Sequence, residues 1–487
     1  MQRPAFILIP LFILIGLLLR WPGLTESIWF DEAYRTFLVL RPDNARNILL
    51  HDVHNPLYNA FMYVWIRIVG DSELSIRTPS LLANAATILL IAAWAAKRFS
   101  PRVALVAAAW LTLSPVSVWY AAEAKNSMFT VFFTTLAALA VDRLVQRPTR
   151  GRAAAAGVCA ALAIYTDFQS LLGLIPIGIL AAITLVRRAR EPLSPRPWHC
   201  GVVALGVALL LVSPLLVFKA GHANELARDY VRYFHVYDVL WILINWFPSG
   251  NALLPVSGKS WALPTALLAL PLLPVYALAA RASIRSFSGR SLLCLTLGPM
   301  VLIYLGTELL VAFGSPVRIY QERNLIVMLP FVAVALAMGA QEFRNTSLRL
   351  TATIAVLILA AASTVFMISR HADVPTVMYP NPDWRSAGRV IADSDPAPVI
   401  LSRTPLLALR YYIPRSTTMQ ADRAGPPATA LAQLLTDHEA IWFIRNPAWY
   451  DVTDVELAEM NKLASVIETH AFRSLTVYRL QRLPRVP

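Results

Sequence analysis

Charge is scarce in this sequence. Only 15% of its 487 residues are Asp, Glu, Lys or Arg, against about 25% in a typical soluble domain. A chain so poor in charge is not an ordinary soluble globular protein; most of it is expected to lie in lipid. Cysteine is nearly absent. Cys159, Cys200 and Cys294 are the only three, none at C-x-x-C spacing, so neither a disulfide framework nor a zinc knuckle is expected; they read as small buried residues. G-x-x-x-x-G-K-[ST], G-x-G-x-x-G after a strand, and H-E-x-x-H are missing, which leaves ATP, dinucleotide and zinc-protease chemistry without a site. There is no internal repeat or low-complexity segment. Two short matches are decoys. Asp393-Ser394-Asp395 copies an acid-x-acid pattern but runs into Pro-Ala-Pro and reads as a turn. Asn345-Thr346-Ser347 fits a glycosylation acceptor but falls on the cytoplasmic side of the topology derived below.

What the chain does have is apolar runs: 5–20, 78–96, 103–120, 127–145, 153–168, 170–186, 201–219, 261–280, 292–313, 324–340 and 350–369. Each is about long enough to span a bilayer, which makes about eleven spanning helices. The first run lacks a small-residue cleavage site and reads as an uncleaved helix, with Arg20 and Trp21 suited to an interface. Residues 56–70 are ambiguous, being short and carrying Arg67. The net charge of +14 resolves the ambiguity. If 56–70 lies at the interface instead of spanning, the basic loops 97–102, 143–152, 187–199, 281–290 and 341–349 all fall on one side. That is the positive-inside pattern, not a nucleic-acid-binding surface. The N-terminus is then cytoplasmic. Residues 21–77, 121–125, 166–169, 220–260 and 315–323, and everything beyond about 370, face outward. The tail, 371–487, changes composition: helix (383–394), strand (398–402), helix (405–413), strand (439–446), helix (455–470) and strand (474–480). It is expected to be a small extracytoplasmic α/β domain after a membrane domain, 1–370.

The candidate chemistry gathers on the outward face. Asp31-Glu32 sits in WFDEAYR, residues 29–35. These acids could simply favour the first turn of a short helix, but carboxylates at membrane depth are costly and usually functional. His54 and Tyr58, in HNPLY, share the same loop; His-Asn before Pro could also just start a helix. Arg77, in GDSELSIRTPS, could snorkel to headgroups. Glu123 and Lys125 form one charged turn, and Arg318, Glu322 and Arg323 lie at another helix end. Both could be exposed turns, or could hold a lipid phosphate. Asp167 reads more readily as a helix cap or connector than as a catalytic group.

Taken in order, WFDEAYR, HNPLY, GDSELSIRTPS, YAAEAKNSM and QERNLIVMLP resemble the bacterial GT-C glycosyltransferases, relatives of protein O-mannosyltransferases and of the lipid A aminoarabinose transferase. The resemblance covers roughly residues 1–370. It implies a sugar donor linked to a polyprenyl phosphate in the bacterial cytoplasmic membrane. It also implies an acceptor hydroxyl outside that membrane, on a lipid, glycan or protein, with Asp31 in the catalytic pocket. Two departures fall near the donor contacts and leave the sugar unassigned. Lys125-Asn126-Ser127 stands where relatives often have Arg and an aromatic, and His54-Asn55-Pro56 where they usually have His-Pro-Pro. The residues suit this chemistry. A carboxylate could take the acceptor's proton, Lys125, Arg318, Arg323 or His54 could stabilise the leaving phosphate, and a divalent metal on Asp31 or Glu32 could do the same. A transporter for a lipid-linked glycan is the competing class, although transporters usually bind at the bilayer midplane. A scaffold with a partner-binding outer domain leaves the first-loop acids unexplained.

Overall fold

The computed structural model describes residues 3–40, 56–189, 197–220, 234–250, 271–314, 320–369, 381–394, 397–403, 406–413, 418–421, 427–446 and 452–484. Two candidate residues, His54 and Arg318, lie outside them, as does the first half of the expected span 261–280.

Every apolar run falls on a helix in whole or in part: α1 (Arg3–Leu24), α2 (Phe30–Leu40), α3 (Pro56–Val69), α4 (Glu73–Arg98), α5 (Pro101–Leu113), α6 (Pro115–Ala121), α7 (Ser127–Gln146), α8 (Arg150–Thr166), α9 (Ser170–Ala189), α10 (Trp198–Ala220), the short α11 (Val236–Trp241), α12 (Leu272–Ser283), α13 (Phe287–Ala312), α14 (Leu329–Gln341) and α15 (Thr346–Ser369). Among the described residues seven helices are long and apolar enough to cross a membrane, or eight if the bent pair α5–α6 is one span. The chain is a multi-pass membrane protein. Seven or eight spans are fewer than the eleven expected: among the described residues α8 and α12, at 17 and 12 residues, are shorter than the roughly 20 a bilayer requires. Helix α3, with 14 residues, buries Tyr58, Met62 and Ile66 on one face and exposes Phe61, Val64 and Ile68 on another, the pattern of an interfacial helix.

Local signals fix the helix ends. Ser72 caps α4 by accepting the Ser75 amide at 3.3 Å, and Lys97 and Arg98 stand at its C-terminal end, where the helix dipole favours cations. Between α5 and α6 the chain bends by 59° at Ser114-Pro115, since Pro115 has no N–H to continue the ladder. The bend orphans the last carbonyls of α5. Arg20 of α1 supplies donors to Thr112 O at 3.1 Å, Leu111 O at 3.4 Å and Ser117 Oγ at 2.9 Å. It is 1% exposed, so it is a buried strut for the bend, not the interface anchor expected from its position beside Trp21. Arg20→Met should cost about 1–3 kcal/mol, the penalty for leaving buried acceptors unsatisfied. A thermal shift in detergent checks this, and an unchanged Tm would refute the strut.

Helix α14 is the centre of the bundle. Residues Leu329 to Ala340 are all buried. At Gly339 a Cβ would lie 2.0 Å from Val275 O, so only glycine allows α14 and α12 this approach. At one end of the bundle Asp142, 1% exposed, ties three helices together. It accepts from Arg98 Nε at 2.8 Å, Trp94 Nε1 at 3.2 Å, Gln146 Nε2 at 3.0 Å and Ser288 Oγ at 2.7 Å.

At the other end sits a five-stranded sheet of order β2-β1-β3-β5-β4, formed by β1 (Val399–Ser402), β2 (Thr418–Ala421), β3 (Ala440–Arg445), β4 (Ala464–Phe472) and β5 (Leu475–Arg482). β1 pairs in parallel with β2 and β3, and β5 antiparallel with β3 and β4. Side chains alternate between faces. Leu401, Ile441 and Phe443 pack under α17 (Pro427–Asp437) and α18 (Asp454–Asn461). Ile400, Trp442, Ile444 and Val477 pack on the side of α16 (Trp384–Ser394). Sequence reading placed α16, β1, β3 and β5 but missed β2 and α17, and its helix over 405–413 is only a 3₁₀ turn, Leu409–Tyr411, in the described residues. It also ran the last helix through 455–470, where the structure ends α18 at Asn461 and makes β4. The β-branched pair Val466-Ile467 and the tight turn at Ser474, with φ of 60°, favour a hairpin there.

Candidate active site

The site is built around Arg77. Its side chain is fully buried, and all five of its N–H donors are used. Nε and Nη2 hold Glu32 at 2.8 and 2.6 Å. Nη1 reaches Leu24 O at 3.2 Å and Glu26 O at 2.5 Å, and Nη2 also reaches Ser27 O at 3.1 Å. Arg77 thus does not snorkel; it folds residues 24–28 around itself. Glu32, 1% exposed, also accepts the Ala124 amide at 2.7 Å and the Trp29 amide at 3.3 Å. Helix α2 is thereby fastened both to α4 and to the turn 122–126 that follows the bend.

That turn brings Lys125 to Asp31, with Nζ and Oδ2 at 2.6 Å. Arg323, at the start of the 3₁₀ segment Glu322–Met328, places Nη1 3.9 Å from the same oxygen. Lys125 also lies 5.2 Å from the Trp29 ring centre, a cation–π distance. The side chain of Asp31 is 31% exposed and that of Arg323 24%, so a ligand can reach both, whereas Glu32 is sealed. Burial works to raise the Asp31 pKa, but Lys125, then Arg323 and Arg35, outweigh it and hold the carboxyl below its usual range. Glu123, in the same turn, behaves oppositely. Burial pushes its carboxyl up to about 7, against the pull of Lys125 and with help from Glu32 and Asp31, and its Oε2 has no hydrogen-bond partner. Because this folded-state pKa is raised, its contribution to stability is complete below the unfolded carboxylate range and is lost as pH rises through about 7. Glu123→Gln should therefore flatten the fall in Tm between pH 5 and 8; an unchanged slope would refute the shift.

A second polar bracket flanks the first. Asn126 donates to Asp167 at 2.7 Å, Asp167 accepts the Gln169 amide at 2.9 Å, and Gln169 Nε2 donates to Asn324 at 2.9 Å. The residues adjacent to Lys125 and Arg323 are thus joined through Asp167, which also terminates α8. Tyr58 stands apart from these contacts. It is buried under α2, edge-on to Phe129 at 5.1 Å, and lines a small cavity with Arg35, Thr36, Met62, Ile66 and Ala124. The structure therefore unites Asp31, Glu32, Glu123, Lys125, Asp167 and Arg323 at one end of the bundle. Sequence reading gave no site role to Arg77, Asn126, Gln169 or Asn324, whose partners are remote in the chain.

Arg77 takes both oxygens of Glu32, and Lys125 meets Oδ2 of Asp31, so of the two carboxylates expected to hold a divalent metal only Asp31 could still offer one an oxygen. Among the described residues no cluster of three or more His, Cys, Asp or Glu side chains could hold one.

Comparison with solved structures assigns the architecture. ArnT from Cupriavidus metallidurans bound to undecaprenyl phosphate superposes with a TM-score of 0.55 at 14% identity, over 96% of this chain and 97% of that one. The chain has the GT-C fold. Residues 53–218 of this chain match the family model described as dolichyl-phosphate-mannose-protein mannosyltransferase. Similarity also extends to the Archaeoglobus fulgidus oligosaccharyltransferase tethered with an acceptor peptide, at 12% identity, 96% of this chain, 73% of that one and a TM-score of 0.49. No curated protein matches this chain. Within the GT-C architecture, Asp31, Lys125 and Arg323 occupy the end of the bundle on which the α/β unit sits.

Proposed function

We propose that the protein is a membrane glycosyltransferase. It would move a sugar from a polyprenyl-phosphate donor to a hydroxyl on a lipid, glycan or protein at the outer face of the cytoplasmic membrane. The observation that carries this reading is one accessible carboxylate, Asp31, faced by two cations, Lys125 and Arg323, at the end of a GT-C bundle. The basic loops flank the opposite end, where Asp142 ties the helices, which supports an outward site under the positive-inside rule. Residues 1–370 would form the transferase domain and 371–487 an extracytoplasmic one. The similar ArnT structure is bound to undecaprenyl phosphate, and a phosphate of that kind suits this cation pair, the Arg fork being the stronger match.

The resting ion pair gives the mechanism its order. Lys125 keeps Asp31 a poor base. A donor phosphate competes for Lys125 and Arg323, and as they turn to it Asp31 loses the two strongest of the cations that lower its pKa, keeping Arg35. Asp31 then accepts the acceptor's hydroxyl proton while the acceptor oxygen bonds to the anomeric carbon. The carbon–oxygen bond to phosphate breaks, and the polyprenyl phosphate leaves with one more negative charge, which Lys125 and Arg323 stabilise. Glu32 holds α2 in place, and Tyr58 supports it from below. Such a direct displacement inverts the anomeric centre.

The test is purified protein in proteoliposomes with radiolabelled polyprenyl-phosphate sugars and a membrane lipid extract. Label is expected on an acceptor with inverted configuration. Retained configuration would exclude direct displacement. Donor crossing the bilayer unconsumed would exclude the transferase and leave a transporter.

A further inference from the structure

The α/β unit is fastened to the bundle at two stretches, 25–28 and 71–73. Asn381 Nδ2 donates to Ser27 O at 2.8 Å, the Arg385 amide to Ser27 Oγ at 3.2 Å, and Arg385 Nη2 to Thr25 O at 2.7 Å. The Tyr412 hydroxyl accepts the Ile28 amide at 2.7 Å and donates to Glu73, which also pairs with Arg385 Nε at 3.0 Å. Arg473 pairs with Glu26 and fixes Asn381 O at 3.0 Å, and Tyr411 donates to Asp71 O at 2.5 Å.

The far side of the same stretch is already taken. Ser27 O accepts from Asn381 outside and from Arg77 inside. Residues 25–29 have no regular secondary structure, and they lead directly into α2. Their backbone order comes from side chains on both faces. From Arg77 the contacts continue without a gap through Glu32, the Ala124 amide and Lys125 to Asp31.

We infer that the α/β unit is a positioning element for the Asp31–Lys125 pair, acting through residues 24–28, with Tyr412 and Arg385 as its positioning residues. The inference rests on the transferase reading for its kinetic consequence but not for its structural one. It differs from acceptor recognition, the role such an appended unit first suggests. A unit that only captured acceptor would have no need to share a carbonyl with Arg77.

The experiment uses the full chain in nanodiscs and compares wild type with Tyr412→Phe and Arg385→Met. Lys462→Ala, in the exposed Lys462–Glu459 pair at the C-terminal end of α18, serves as the control. Two readouts are taken: amide hydrogen exchange of peptides covering 29–36 and 122–126, and transfer kinetics. Loss of one such bond is expected to speed exchange there by about 3- to 10-fold while the sheet stays protected. kcat should fall by a similar factor, with the acceptor KM unchanged, and Arg385→Lys should restore part of both. Unchanged exchange at 29–36, with or without a raised acceptor KM, would overturn the inference. If wild type transfers nothing, the transferase reading fails, and the exchange data alone decide the positioning role. Tyr412→Phe removes a single hydroxyl, so sheet protection in that variant separates misfolding from loss of positioning.

Discussion

Asp31→Asn is expected to lower sugar transfer by about 10²–10⁴-fold, the usual contribution of a general base, in a protein that still folds. The substitution keeps the size of the side chain and its capacity to accept a hydrogen bond, but Asn cannot take a proton. It also removes the counter-charge of Lys125, which sits 2.6 Å away. A donor phosphate then no longer competes with the Asp31 carboxylate for Lys125 and Arg323. The donor KM should therefore stay level or fall while kcat collapses, the pattern of an interaction needed only for chemistry. A merely structural acid would not split the two constants in this way. Transfer equal to wild type would make Asp31 a first-turn helix acid and remove it from the mechanism.

The second large effect is on stability. Glu32 and Arg77 are 1% and 0% exposed, so breaking the pair strands a buried charge, at a cost of about 3–5 kcal/mol. Arg77→Met should be the more damaging change, since it also takes the Arg77 donors from the carbonyls of Leu24 and Glu26. Glu32→Gln together with Arg77→Met should lose less than the sum of the two single changes, because neither charge is then left alone. Thermal unfolding in detergent measures all three variants. A Glu32→Gln protein of wild-type Tm, but as inactive as Asp31→Asn, would return Glu32 to the chemistry and refute its assignment as an anchor.

These two adjacent carboxylates show how far the sequence can be read. The apolar runs and basic loops place both acids on one side of the membrane along with Lys125 and Arg323, and the structure brings them together. What separates their roles is partner geometry. Arg77 lies 45 residues from Glu32, and no local pattern marks a pair across that distance, so an arginine near a span end reads as a headgroup anchor. Arg20 shows the same limit, its partners being about ninety residues on. Asp167 was legible because capping is local; its bond to Asn126 was not. In the α/β unit, helix α16 and strands β1, β3 and β5 show in the pattern. β4 did not, because ASVIETHAF follows a helix without a Gly or Pro stop and takes its form from pairing with β5.

Helix α14 has a consequence for how the protein is made. The segment Glu322–Gln341 is apolar enough to span, yet 89% of its spanning window is buried inside the protein. Its neighbours include α5 and α12, synthesised earlier, and α15, synthesised later. A nascent chain that ends before residue 322 would hold its helices around a vacancy that lipid must fill. Closure then requires α14 to leave the bilayer and displace that lipid. The last two helices of the bundle, α14 and α15, should thus be the checkpoint of biogenesis, with truncated or stalled chains degraded even though most of their helices have been inserted.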